Sequence, residues 1–319
     1  MRDLSVIIPA REEMFLKATI EDVLKNMEAD TEVIAICDGN WPDPPVADHP
    51  RVTIVHHTES IGQRAATNEG ARISRAKYIM KADAHCSFGK GFDRILIEDC
   101  QPDWTMIPML YNLHAFDWVC TDCGNRIYQG YVNYCGEKVR DARQWDKEGC
   151  GSRNLEIDIV WKRREGKGPY VSWRFDNQME FRQWRKHHRR LECQGDFVET
   201  LSFAGPCFFI HRDRYWDLGG CDEAHGSWGQ FGTEWACKTW LSGGKLVTTR
   251  KTWFAHLFRT GNFKGTGYKG SSFPYPLPEE AQERAKRYSR DLWLNDRWPK
   301  AIHPLSWLID KFAPVPGWQ

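Results

Sequence analysis

No apolar run in this chain approaches the roughly 18–20 residues that cross a bilayer, so the sequence holds no candidate membrane-spanning helix. No secretory leader is expected either, since the first apolar strand already begins at Leu4. The expectation is a cytoplasmic protein. Net charge is nearly absent, +1 from 44 basic and 43 acidic residues. That balance gives no global pull toward nucleic acid or an anionic membrane, and any such partner must be met by a local patch. There is no internal repeat.

Other features are abundant. A length of 319 residues suits one large domain or two modest ones, enough for a full α/β core. Sixteen Trp supply flat faces of the kind used to hold sugars and bases, or simply extra core packing. Eleven Cys, an odd number in a chain without a leader, point to thiols or metal ligands rather than a disulfide framework.

Apolar runs and turn residues predict strands at Leu4–Pro9, Glu32–Cys37, Arg51–His56 and Tyr78–Ala82. Amphipathic or helical stretches at Leu16–Met27 and Ile61–Ser74 lie between them. This alternation predicts the α/β class with βαβ units and a mainly parallel sheet. Sites on such sheets lie beyond the strands' carboxyl ends, which gathers Arg11, Asp38, Asp83 and His85 on one edge. Charged, Cys-rich sequence replaces the periodicity over 116–165 and reads as an insertion. Arg174–Glu192 reads as a basic helix, Asp196–Arg212 resumes buried sequence, Leu246–Phe258 supplies a strand, and Glu279–Asp296 a helix before a Trp/Pro-rich tail. The expected division is 1–115, the insertion 116–165, a second half 166–270, and a C-terminal segment 271–319.

Three constellations carry chemistry. Asp83-Ala84-His85 ends the strand Tyr78–Ala82, and positions i and i+2 of a strand share a face. One carboxylate and one imidazole converging there suit a divalent cation, which can neutralise a diphosphate leaving group. Second, Cys120-Thr121-Asp122-Cys123-Gly124 is a C-x-x-C-G knuckle, followed by Cys135-Gly136 and Cys150-Gly151. Four thiolates make a closed structural zinc site able to order an insertion too small for its own core. Reduced unliganded thiols and redox chemistry are the alternatives, and His114 is a fallback ligand. Cys37, Cys86, Cys100, Cys193, Cys207, Cys221 and Cys237 read as small buried residues. Third, the run Arg182–Arg190 interleaves basic residues with Trp184, a pattern able to contact phosphates and stack a base, or simply a solvated helix face.

Leu4–Glu12, Asp38-Gly39, Ile61–Gly70 and Lys77–His85 resemble the nucleotide-binding half of GT-A glycosyltransferases of the family 2 type. Gly62-Gln63-Arg64-Ala65 through Asp83-Ala84-His85-Cys86 is most similar to polypeptide N-acetylgalactosaminyltransferases, which use D-x-H. Phe203–Asp222 and Trp228–Trp240 resemble their second motif. The resemblance implies a GT-A, Rossmann-like fold. It assigns Pro9, Ala10, Arg11 and Glu12 to uridine, Asp38 to base or ribose, and Arg64 to the nucleotide and donor sugar. Asp83, His85 and His256 become ligands of Mn²⁺ (or Mg²⁺). By residue type alone, Asp38 also reads as a turn former, Arg64 as a solvated helix residue and His256 as a core histidine.

Glu234 matches the second acid of the W-G-G-E-N-x-E pattern, here Trp228-Gly229-Gln230-Phe231-Gly232-Thr233-Glu234, which lacks the first acid and the Asn. Glu234 is then an acceptor base or a donor-hydroxyl anchor, and Trp228 flanks the sugar or packs. The expected activity is metal-dependent transfer of a hexosyl or N-acetylhexosaminyl group from a UDP-sugar, with retention implied by the resemblance. No lectin domain or anchor is expected, and a zinc-ribbon-like insertion on this core is similar to phage-encoded glycosyltransferases. The leading expected acceptor is therefore a hydroxymethylated pyrimidine in phage DNA, flipped out of the duplex, within the host cytoplasm. A glycan or protein hydroxyl is the runner-up acceptor. The other class of function is an inactive nucleic-acid-binding protein on the same core.

Overall fold

The computed structural model describes residues 2–129, 132–138, 144–166, 168–259, 275 and 279–318. The first half follows the expected alternation closely. In chain order it contains β1 (Leu4–Ala10), α1 (Leu16–Asn26), β2 (Thr31–Asp38), β3 (Val52–His57), α2 (Gln63–Ile73), β4 (Tyr78–Ala82), β5 (Cys86–Phe88) and α3 (Phe92–Asp99). β1 is buried on both faces, as its unbroken apolar run requires for a central parallel strand. It pairs in parallel with β2 on one side and β4 on the other, and β2 pairs in parallel with β3. Their carboxyl ends therefore share one edge. α1 packs through Leu16, Thr19, Ile20 and Val23, a single stripe at i, i+3, i+4 and i+7. α2 lies closer to the sheet, because a Cβ on Gly70 would stand 2.5 Å from Ile7 Cγ2.

The second half closes the sheet with β6 (Trp104–Cys120), β7 (Arg126–Tyr128), β8 (Leu155–Arg163), β9 (Trp173–Phe175), β10 (Phe181–Gln183), α4 (Arg185–His188), β11 (Phe197–Glu199), β12 (Cys207–His211), α5 (Arg212–Asp217), α6 (Phe231–Leu241), β13 (Lys245–His256), α7 (Glu279–Leu294) and α8 (Leu305–Lys311). The main strand order is β11-β13-β6-β12-β4-β1-β2-β3. β12 runs antiparallel to β4 and β6, while β13 is parallel to β6. Tryptophan mostly serves the core. Trp235, Trp240 and Trp293 are fully buried, and Trp235 packs against Phe208 and Tyr215 at 4.6 and 4.9 Å between ring centres.

One expectation is corrected here. Arg174–Glu192 is not one helix: it forms the β9–β10 hairpin, the single-turn α4 and a short 3₁₀ turn at Leu191–Cys193. Trp173 and Phe175 on β9 and Trp184 after β10 are buried, so tertiary packing overrides the helical propensity of the charged residues between them. The boundary expected at 115/116 falls inside β6, which leaves the main sheet and pairs with β7 and β8 to carry the Cys-rich segment. Phe116 and Trp118 of that segment share a cluster with Phe15, Ala255 and Leu257 of the main body. Among the described residues no helix is long and apolar enough to cross a membrane.

Candidate active site

A cleft of about 560 Å³ opens at the edge where β1, β2 and β4 end. Pro9 and Ala10 line it from β1 and Arg11 from the turn after it, Asp38 from β2, and Asp83 and His85 from the turn leaving β4. His256 arrives from far down the chain. β5 pairs antiparallel with the end of β13, setting His256 opposite Cys86, and the Leu257 amide donates to the His85 carbonyl at 3.1 Å. This register brings one oxygen or nitrogen each from Asp83, His85 and His256 within 4.8 Å of one another.

Each member of the triad is oriented. Asp83 Oδ2 lies 3.2 Å from His256 Nε2, while Oδ1 accepts from Gln63 Nε2 at 3.1 Å and from the Lys81 ammonium. Burial alone would raise the Asp83 carboxyl; Lys81 and then His256 outweigh it and hold it well below the usual carboxylate range. Burial lowers His256 to about 4, so its ring is neutral at pH 7 and has a lone pair to give. His85 Nδ1 meets Glu13 Oε2 at 2.9 Å, leaving Nε2 for the cleft. An imidazole backed by a carboxylate on its other nitrogen is the usual outer support of a metal-ligating histidine. One carboxylate and two imidazoles, His85 being the one backed in this way, are a donor set that fits a divalent first-row cation.

The other residues of interest fall into two groups. Pro9, Ala10, Arg11, Asp38 and the half-buried Trp228 line the cleft. The Asp38 carboxylate is engaged, accepting from Ser60 Oγ at 2.8 Å and from the Ile61 and Gly62 amides. Glu12, Arg64 and Glu234 stand elsewhere. Glu12 is exposed with φ +50°, and its neighbour Glu13 is the acid that turns inward. Arg64 is 1% exposed, with Nε on Glu234 Oε2 at 2.7 Å and its two terminal nitrogens on the Gly226 and Gly229 carbonyls. Glu234 is fully buried and also accepts from Lys238 Nζ at 2.7 Å and the Asp222 amide at 2.6 Å. Burial would raise its carboxyl, but Lys238, Arg64 and His225 bring it down to about 2. Glu234 is not among the residues that line the cleft, and Arg64, Lys238 and the Asp222 amide engage its carboxylate.

Glu13, Gln63, Lys81, Arg259 and Tyr275 were not singled out from the sequence. Arg259 lines the cleft and pairs with Glu13, whose carboxyl is about 2 because Arg259 and His85 outweigh burial. Tyr275 faces the Arg11 guanidinium, its ring centre 4.4 Å away. For Lys81 a signal did exist: a lysine inside an apolar strand is almost never buried unless paired.

The Cys-rich segment forms a second cluster. The sulfurs of Cys120, Cys123, Cys135 and Cys150 all lie within 4.8 Å of one another, with Cys120–Cys150 and Cys123–Cys135 each at 3.6 Å. A tetrahedron of thiolates around zinc has edges of about 3.8 Å. Amides of Cys123 and Asp122 pull the Cys120 thiol down to about 7 against the desolvation that would raise it. His114 is bonded to Asp117 at 2.6 Å instead. The seven remaining cysteines are buried, as read.

The curled α/β sheet, with its cleft at the β1, β2 and β4 ends and a D-x-H turn facing it, defines a GT-A-type fold. Residues 5–110 match the family model described as Glycosyl transferase family 2. N-acetylgalactosaminyltransferase 6 of Drosophila melanogaster is 28% identical over 108 residues, 33% of this chain and 15% of the fly protein. The solved structure of GalNAc-T7 with UDP, GalNAc and Mn²⁺ superposes over 98% of this chain and 56% of that one, with a TM-score of 0.63 and 14% identity. The chain therefore spans only part of the length of the proteins it matches.

Proposed function

We propose that this protein transfers a sugar from a UDP-sugar to an acceptor hydroxyl. The convergence of Asp83, His85 and His256 at the cleft is the observation that carries the reading. These three would hold a divalent cation, and the likeness to a fold neighbour described with UDP and Mn²⁺ supports that assignment. When bound, such a cation supplies positive charge for the diphosphate leaving group. Pro9, Ala10 and Arg11 would hold the nucleotide, and Arg259 presents a guanidinium beside the triad for phosphate oxygens.

In the reaction the acceptor oxygen bonds to the anomeric carbon, and the bond from that carbon to the β-phosphate oxygen breaks with its electron pair leaving on UDP. Every cleft-lining carboxylate among the described residues is engaged: Glu13 with His85 and Arg259, Asp38 with backbone amides, Asp83 with Lys81, and Glu180 with Lys286 at 2.8 Å. Engagement of these four carboxylates supports retention, in which the departing phosphate oxygen takes the acceptor proton.

The acceptor in this reading is a hydroxymethylated pyrimidine in DNA. Phe181 lines the cleft, and Arg182, Arg185, Lys186 and Arg189, which follow it in the chain, are exposed. Trp184 takes no part in stacking a base, being buried against His187 at 4.4 Å. The four clustered cysteines hold structural zinc, supported by their near-tetrahedral sulfur spacing. The test is UDP release from UDP-GalNAc or UDP-glucose with Mn²⁺, using hydroxymethylated and unmodified DNA, with Asp83→Ala as control. Release that depends on Asp83 but not on modified DNA moves the acceptor to a glycan or protein hydroxyl. DNA binding with no affinity for UDP leaves only a nucleic-acid-binding protein on an inactive core.

A further inference from the structure

The buried ion pairs behind the Ser227–Gly229 wall have no part in the reaction as written, yet they concentrate on one short loop. Arg64 fans its guanidinium across three partners: Glu234 at 2.7 Å, the Gly226 carbonyl at 2.9 Å and the Gly229 carbonyl at 2.7 Å. Those two glycines bracket Ser227 and Trp228, both of which line the cleft. Glu234 fixes the other end of the same loop through the Asp222 amide, while Lys238 joins Glu234 to the Gly220 carbonyl at 2.7 Å. The start of α2 also touches the loop directly, since a Cβ on Gly62 would stand 2.9 Å from Ser227 Cβ.

A Gly-Ser-Trp-Gly segment has little stiffness of its own. Gly226 and Gly229 sit at φ +84° and +93°, open to many alternatives in an unrestrained chain. Its conformation is imposed from below by hydrogen bonds to its carbonyls. A planar guanidinium suits this task because its donors form a rigid fork, and Glu234 keeps the fork from rotating by binding Nε.

We infer that Arg64 and Glu234 are positioning residues, which set where Ser227 and Trp228 stand on the cleft wall and govern turnover through that loop without touching substrate. Only the kinetic half of its test rests on the transferase reading. The nucleotide side of the cleft, built by Pro9–Arg11 and the Asp83–His85 turn, is not held by this pair.

The structural readout is ¹⁹F NMR of protein containing 5-fluorotryptophan, with the Trp228 line assigned by its loss in Trp228→Phe. Arg64→Lys keeps the charge but cannot bridge both carbonyls, and Glu234→Gln keeps the shape but loses the charge. In both, the Trp228 line is expected to shift or broaden while the lines of Trp235 and Trp240 hold their positions. In the same variants kcat is expected to fall tenfold or more, with the inhibition constant of UDP staying within twofold of wild type. An unmoved Trp228 line overturns the inference, as does an equal loss of UDP affinity and turnover. Collapse of all tryptophan lines in both variants also overturns it, because the pair would then be a general stabiliser of the fold. If the wild type turns over no UDP-sugar, the transferase reading fails while the NMR result still decides the role of the pair.

Discussion

Replacing Glu13 by Gln separates two adjacent acids that the sequence does not distinguish. Glu13 Oε2 holds His85 Nδ1 at 2.9 Å and also pairs with Arg259, whereas Glu12 is exposed. Glutamine keeps the shape of the side chain but removes the charge that holds the His85 ring and raises its basicity. Loss of such an outer partner typically costs 10–100-fold in metal affinity, or about 1.4–2.7 kcal/mol. The burial of Glu13 and its low carboxyl, about 2, put it toward the upper part of that range. The measurement is calorimetric titration of the metal-free protein with Mn²⁺, on wild type, Glu13→Gln and Glu12→Gln. A Kd raised at least tenfold in Glu13→Gln and unchanged in Glu12→Gln is expected. If a folded Glu13→Gln binds Mn²⁺ within twofold of wild type, the outer support of His85 is refuted. An equal loss in both variants would refute it as well, since the effect would then be diffuse charge and not a specific hydrogen bond.

Gly70→Ala should destabilise the fold by about 1–3 kcal/mol through overpacking, because the new methyl meets Ile7 Cγ2 at 2.5 Å; thermal melting checks this. Glu234 makes stability depend on acid. Its folded carboxyl, about 2, lies below the ordinary 4.5, so protons bind the unfolded chain first. Its contribution, on the order of 3 kcal/mol, is complete above pH 4.5 and lost as pH falls toward 2. Urea unfolding across that window should give a flatter pH slope in Glu234→Gln. Finally, metal analysis of the purified protein should find one zinc that Cys123→Ser removes, with amide protection lost first in the β7–β8 segment; a zinc-free protein with the same protection there would refute the assignment.

Much of the nucleotide-side half of the fold was readable because its signals are local. An unbroken apolar run specifies β1, and one stripe at helical spacing specifies α1. The D-x-H spacing alone puts Asp83 and His85 on the same side of the β4 exit. The Cys120 knuckle is likewise a local pattern, and the structure brings Cys135 and Cys150 to it. Less readable was anything that depended on which partner a charged residue meets. Charge and helical propensity gave Arg174–Glu192 the look of a helix, but the buried Trp173, Phe175 and Trp184 tie it down as a hairpin and a single turn.

What the sequence by itself determined is the α/β alternation, the carboxyl-edge location of Asp83 and His85, and the Cys120–Cys123 knuckle. Each follows from backbone periodicity or from side chains a few residues apart. Only the tertiary structure decided that Glu13 and not Glu12 faces the cleft, that the β5–β13 pairing carries His256 to the Asp83–His85 turn, and that Arg64 and Glu234, 170 positions apart, pair beneath the loop. A charged side chain cannot stay buried alone, so its role is fixed by whichever opposite charge the fold brings within reach.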